Sequence, residues 1–192
     1  MLGVNLPLVI GSAVGNVYRL EWGAPGETDT TPGEYVEIEA TADAMIAQAK
    51  PTANYGREAG RAQTEGMKVG YDNRPERDLG IVRSLVRFDT SGIPSGATIH
   101  AAVLRLQWVY SRDTALGRSL DVGVYGVTAA WDETSVTWQS APAFDGQKRY
   151  DSVSFVHNPF TETPFDWNVT ALVQTWVSGD RANHGLIVRG LD

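Results

Sequence analysis

The fold is decided by residues 81–108, which read IVRSLVRFDTSGIPSGATIHAAVLRLQW. Apolar and polar side chains alternate along residues 82–88 and again along residues 104–108. This two-residue period, rich in valine, leucine and aromatic residues, predicts two half-buried β-strands and not a helix. Between them, residues 89–96 (DTSGIPSG) contain two glycines and a proline, which predict a turn. The stretch therefore predicts a β-protein organised around this strand pair.

The rest of the chain continues the pattern on both sides. Thr170 to Gly179 is the one predicted helix, with Thr170 as its N-terminal cap, an apolar stripe, and Gly179 at its C-terminal end. Residues 140–159 lack a clear period and are predicted to form a long loop. Further strands are predicted at residues 4–10, 17–22, 34–40, 44–48, 67–69, 120–128, 136–138, 165–169 and 185–189.

Composition narrows the class of function. The 192 residues carry a formal net charge of −7, which disfavours nucleic acid as a partner because phosphate binding requires clustered positive charge. The chain has no cysteine, and no apolar run is long enough for a membrane helix. The three histidines lie far apart, without metal-ligand spacing, and no catalytic or nucleotide-binding motif is present. We therefore expect no catalytic residue, cofactor or metal, and a protein that is not an enzyme.

Several motifs occur in a fixed order. They are Asp43 ahead of Asn54-Tyr55-Gly56, LVRFDTSGIPSGATIHAAVLRL at 85–106, WDETSVTW at 131–138, FDWNVTALVQTWVSG at 165–179 and NHGL at 183–186. Together they resemble the DNRLRE domain family over residues 42–192. The resemblance implies an all-β, antiparallel, jelly-roll-like β-sandwich that is extracellular or on the cell surface and related to carbohydrate-binding modules. It also implies that Trp131, Trp138, Trp167 and Trp176, which lie inside these motifs, belong to the core.

The resemblance divides the chain into three parts. Residues 1–15 are an N-terminal arm, residues 16–41 a hairpin extension, and residues 42–192 the sandwich. DNRLRE-like domains continue past the Gly-Leu-Ile-Val strand into one more strand, whereas this sequence stops at Asp192. We therefore expect a sandwich that lacks its usual last strand and has an open apolar groove beside unpaired backbone groups.

The arm offers a strand that fits such a groove. Its apolar residues alternate on one face, at Val4, Leu6, Leu8 and Ile10. The first hypothesis is that the arm inserts into the next copy of the chain, which would build a head-to-tail filament outside the cell. Two alternatives stay open: the arm folds back to complete its own domain, or it is a linker and the C-terminus is merely a truncation.

Carbohydrate binding is the second functional hypothesis. Arg83, Arg87 and Arg105 lie on the polar faces of the central strands and would form a row if those strands are neighbours. Such a row suits sugar carboxylates, because guanidinium groups bind them with two parallel hydrogen bonds. Lys68 and Tyr125 would extend the surface, Tyr125 by stacking on a sugar ring. The resemblance implies polysaccharide or uronate as the ligand. The alternative is a solvated strand face with cross-strand ion pairs.

Overall fold

The structure is a computed structural model that describes residues 7–10, 17–23, 35–56, 67–72, 75, 78–111, 119–156 and 163–191. Strands make up 56% of the chain, which confirms the all-β, sandwich-like fold. The strands are β1 Pro7–Ile10, β2 Val17–Gly23, β3 Tyr35–Ala47, β4 Tyr55–Gly56, β5 Lys68–Asp72, β6 Gly80–Phe88, β7 Thr98–Ser111, β8 Ser119–Val127, β9 Phe144–Val156, β10 Thr163–Asn168 and β11 Leu186–Gly190. Helix α1 spans Thr170–Val177, and no helix in the described ranges is long and apolar enough to span a membrane.

The strands form two antiparallel layers. The front layer has the order β4-β3-β6-β11-β8-β9, and the back layer contains β2, β7 and β10. Strand pairing connects the two layers in two places. Strand β3 pairs with β2 in its first part and with β6 in its second, while β1 lies between β5 and β7. Strand β6 is central to the front layer and β7 to the back layer. The two strands predicted from residues 81–108 therefore lie in different layers.

The main core fills the space between the layers. Trp167 of β10 is 0% exposed and donates its indole N–H to the carbonyl of Val122 in β8, at 3.0 Å. Its ring lies 5.8 Å, centroid to centroid, from that of Phe155 in β9. One back-layer side chain therefore contacts two front-layer strands, which explains why a tryptophan occupies this position.

Helix α1 forms where it was predicted, but it begins differently. Val169, not Thr170, is the N-terminal cap residue, and its side chain makes no capping hydrogen bond, so the prediction that Thr170 caps the helix is wrong. The Thr170 hydroxyl instead accepts the backbone N–H of Ala102 in β7, at 2.9 Å, which ties the helix to the back layer. At the other end, Gly179 has a φ of +79°, as expected for a C-terminal glycine.

The predicted loop at residues 140–159 is wrong over most of its length. Strand β9 occupies Phe144–Val156 and pairs with β8. It is the last strand in the front layer's order, and most of its side chains are exposed or half-buried. Such a strand lacks the regular burial of every second residue, and therefore the apolar alternation by which strands are predicted.

The arm strand pairs within its own chain. Leu8 pairs with Val69 of β5 on one side and with Ser111 of β7 on the other, so β1 uses both edges inside the domain. Donation of this strand to a neighbouring copy is therefore not supported, and the pairing agrees with the fold-back alternative. Val4 and Leu6 lie outside the described residues, and Leu8 and Ile10 are described by their backbone alone. The division into arm, extension and sandwich stays a prediction.

Candidate functional site

The candidate site lies on the outer face of the front layer, which points away from the main core. Along β6, Val86 and Phe88 belong to that core. Successive residues of a strand point to opposite faces, so Arg83, Leu85 and Arg87 lie on the outer face. Two of the three candidate arginines therefore share this surface.

Cross-strand pairing sets further side chains beside those of β6. Leu85 pairs with Ile187 of β11, Ile187 with Tyr125 of β8, and Tyr125 with Arg149 of β9. Arg189 follows Ile187 by two residues and so lies on the same face. The outer face thus collects arginines from β6, β9 and β11.

The loop between β8 and β9 covers one end of this face. Trp131 donates its indole N–H to the carbonyl of His184, at 2.9 Å. The Asn54 amide donates to the carbonyls of Glu133 and Val136, at 2.9 and 2.7 Å. Three of the motifs quoted above, NYG, WDETSVTW and NHGL, therefore contact one another, and their joint effect is to hold this loop against the sheet.

Guanidinium groups and aromatic rings alternate on the remaining surface. Arg83 Cζ lies 4.8 Å from the ring centroid of Trp138 and 5.9 Å from that of Phe144. Arg189 Cζ lies 5.9 Å from Phe144 and 5.8 Å from Tyr125. The Phe144 ring therefore contacts two guanidinium groups from neighbouring strands. We call this surface the arginine–aromatic face, formed by Arg83, Arg149, Arg189, Tyr125, Phe144 and Trp138.

Gly123 of β8 lies within this face, paired with Arg189. A Cβ atom at this position would lie 2.8 Å from Leu191 Cδ2 and 3.0 Å from Arg149 Cδ. The missing side chain is what allows the side chains on either side to close over the strand.

Arg87 has a different role from Arg83. Its Nη1 donates to the carbonyl of Trp131 at 3.2 Å, and its Cζ lies 5.4 Å from the Trp131 ring centroid. In the same loop, hydrogen bonds from Thr134 lower the pKa of Asp132, and the charge of Arg87 lowers it further. Arg87 therefore stabilises the covering loop and stands at the margin of the arginine–aromatic face.

Arg105 does not join the row. It lies in β7, and β7 does not neighbour β6, so the condition for a continuous row is not met. Arg105 instead faces solvent on the back layer, where its Nε and Nη2 each donate to Asp166 at 2.7 Å. These hydrogen bonds lower the pKa of Asp166 and raise that of Arg105. This arginine already binds a carboxylate within the chain, as the solvated-face alternative expects.

The other two predicted residues are buried. Lys68 is 2% exposed in β5 and does not lie on the arginine–aromatic face. Tyr125 does lie there, but it is 7% exposed, beneath Phe144 and Arg189. The partly exposed rings of Phe144 and Trp138 offer the accessible aromatic surface.

The sequence interpretation missed Phe144, Arg149 and Arg189 as site residues. Phe144 and Arg149 fell in the segment predicted as a loop. Arg189 could have been predicted, because it lies two residues after Ile187 in a predicted strand and therefore shares its face. Trp138 was assigned to the core, and it is only partly buried.

No residues on this face resemble a metal site. Among the described residues no three of histidine, cysteine, aspartate and glutamate come together as possible metal ligands. His100 is exposed on β7 and His184 lies in the turn before β11, while His157 lies outside the described residues.

The fold and this surface define a class: an antiparallel β-sandwich with an arginine-rich and aromatic strand face. Residues 34–190 match the model of carbohydrate-binding module family 96, and the chain belongs to this family. The match supports the carbohydrate-binding hypothesis and is compatible with a domain that is not an enzyme. It is also compatible with the resemblance to DNRLRE domains, without confirming that name. No curated protein matches the chain.

Proposed function

We propose that this domain binds an acidic polysaccharide of uronate type through the arginine–aromatic face, without catalysis. The observation that carries the proposal is the position of two guanidinium groups, from β6 and β11, against the single ring of Phe144. Family membership supports a carbohydrate ligand, and the arginines supply the preference for an acidic one.

The chemistry of the face fits a carboxylated sugar chain. A guanidinium group offers parallel N–H donors that match the two oxygens of a carboxylate. Contact with an aromatic ring restricts its side chain, so less conformational entropy is lost when a ligand binds. Arg149 is exposed on β9 and extends the positive charge across the sheet. The rings of Phe144 and Trp138 provide apolar surface beside the charges.

The position of the site on a sheet surface favours a polymer over a small molecule. A strand face supports a chain along several sugar units, each with a weak contact, and the contacts add. The net charge of −7 means that the rest of the surface repels a polyanion, so binding depends on this local group of arginines. The proposal includes a location outside the cell, which recovery of the protein from the medium or the cell-surface fraction tests.

The experiment is titration calorimetry with oligouronates against the wild type, Arg83→Ala/Arg189→Ala and Arg105→Ala. We expect the double variant to lose at least about tenfold in affinity, or about 1.4 kcal/mol. Arg105→Ala, the matched control, should bind like the wild type because Arg105 is paired on the other layer. Equal affinity of the double variant and the wild type, at equal thermal stability, would refute the assignment.

A further inference from the structure

A second surface, on the other side of β9, has the chemistry of a sugar site. It is an open cleft of about 550 Å³ between β9, the end of β10 and the first turn of α1. Its walls include Ile99, Tyr150, Asp151, Asn168 and Ala171. Tyr150 packs against the main core, so the cleft opens on the opposite side of the strand from the neighbouring Arg149.

The polar groups of the cleft are held in place by the backbone. Asp151 accepts the N–H of Ser152 on Oδ1 and that of Asn168 on Oδ2, each at 2.7 Å. Asn168 Oδ1 in turn accepts the N–H of Thr170 at 3.0 Å. A carboxylate with two backbone donors keeps lone pairs for further partners and does not have to reorganise when they arrive.

The hydrogen-bonding capacity that remains suits hydroxyl groups. The amide nitrogen of Asn168 is a donor, the Asp151 oxygens are acceptors, and the Thr170 hydroxyl already accepts a backbone N–H and can donate. The Tyr150 hydroxyl is buried and has no hydrogen-bond partner among the described residues, although buried hydroxyls normally have one. Ile99, Ala171 and the tyrosine ring add apolar surface.

We propose that this cleft binds a neutral hexose unit of a glycan. Asp151 is the one charged side chain in its lining, so the cleft accepts hydroxyl donors and repels a uronate. The lining includes neither Lys148, whose Nζ lies 5.0 Å from the Tyr150 ring centroid, nor Arg181, which pairs with Asp145 at 2.9 Å. The domain then carries two sites of different selectivity, one for an acidic chain and one for a neutral unit.

The test is NMR titration of the ¹⁵N-labelled full chain with cellotetraose, mannotetraose and galactotetraose. We expect at least one of the three to cause saturable shifts at the amides of Asp151, Asn168 and Ala171. Ala171→Trp, which fills the cleft from an exposed helix position, should weaken that binding at least about tenfold. Ala182→Trp, at an exposed position outside the lining, should leave it unchanged.

The same titration separates this site from the arginine–aromatic face. The Arg83→Ala/Arg189→Ala variant should keep its response to the neutral tetrasaccharide, whatever its affinity for oligouronates. Three outcomes would overturn the proposal: no saturable shift with any of the three sugars, shifts confined to the arginine–aromatic face, or unchanged affinity in a folded Ala171→Trp variant.

Discussion

The outer faces of the two layers both present arginine on a β-strand, but the guanidinium groups contact different partners. On the back layer, Arg105 forms two hydrogen bonds to Asp166, and the side chains are 50% and 46% exposed. On the front layer, Arg83 lies against Trp138 of the covering loop, and Arg189 lies against Phe144 of β9. The back layer thus satisfies its arginine with a carboxylate of its own.

This difference shows why strand position alone is a poor guide to a binding site. Arg83 and Arg105 occupy equivalent places in the alternating pattern of two strands, and both are polar residues on an apolar strand. Their paired cross-strand positions differ: Arg105 lies opposite Asp166 and Arg83 opposite Ile46. A neighbouring carboxylate neutralises an arginine, whereas apolar and aromatic neighbours position it.

Both faces are held on one core, and Trp167 is the core residue whose loss has the largest expected effect. Trp167→Ala removes a fully buried ring and the hydrogen bond to Val122 that joins the layers. We expect the free energy of unfolding to fall by about 3–5 kcal/mol, measured by denaturant titration. Tyr71→Ala, at a residue that is 39% exposed, is the matched control and should change it by about 0.5 kcal/mol or less. Similar losses in both variants would show that Trp167 does not join the layers.

Gly185 tests the local geometry under the front face. It has a φ of +79°, and a Cβ atom there would lie 2.2 Å from the Val86 carbonyl oxygen. Gly185→Ala should therefore push β11 away from β6, lower the free energy of unfolding by about 3 kcal/mol and weaken oligouronate binding.

Gly179 supplies the control for that substitution. It has the same φ of +79°, but nothing lies within 4 Å of the position of its Cβ. Gly179→Ala should cost about 1 kcal/mol from backbone strain alone and leave binding unchanged. Equal losses in the two variants would mean that the close approach at Gly185 contributes nothing.

Phe144 is the ring shared by the two arginines of the front face. Phe144→Leu keeps an apolar side chain but removes the ring that contacts Arg83, Arg189 and Tyr125. Each of the two guanidinium–ring contacts contributes about 0.5–1 kcal/mol, so we expect affinity for an oligouronate to fall about fivefold to thirtyfold. Calorimetry measures this, with Tyr71→Leu as the control. An equal loss of affinity in Tyr71→Leu, or no loss in Phe144→Leu, would show that the Phe144 ring is not part of the binding site.

The sequence predicted the class of fold but only part of the site. The two-residue periods of β6 and β8, the apolar run of β11 and the stripe of α1 predicted these elements, because each packs apolar side chains into the core. Strand β9 escaped prediction because it lies at the edge of its layer and buries few side chains. Since Phe144 and Arg149 lie on β9, the site could not be assembled from the sequence.

Other parts of the site depend on long-range pairing. Arg83 and Tyr125 were singled out from their strands, and both lie on the arginine–aromatic face. Arg105 was grouped with Arg83 because their strands are consecutive in sequence, although these strands belong to different layers. Alternation gives the face of a strand on which a residue lies, but only pairing gives its neighbours.

The smallest expected effect belongs to the pair on the back layer. The Arg105 hydrogen bonds hold the pKa of Asp166 below its usual value of 3.8. The pair therefore contributes stability that is present above pH 3.8 and is lost as the pH falls through the lowered pKa of the folded state. Because both side chains are about half exposed, we expect Arg105→Ala to cost less than about 1 kcal/mol at pH 7.

The dependence on pH identifies the source of that small cost. Denaturant titrations of the wild type and Arg105→Ala should differ at pH 7 and converge at a pH below the lowered pKa of Asp166. Asp166→Asn should show the same convergence, because it removes the titrating partner while keeping a similar shape. A difference that persists unchanged in acid would come from lost packing of the arginine stem and not from the charge pair. The back face would then owe its stability to apolar contact, as the front face does.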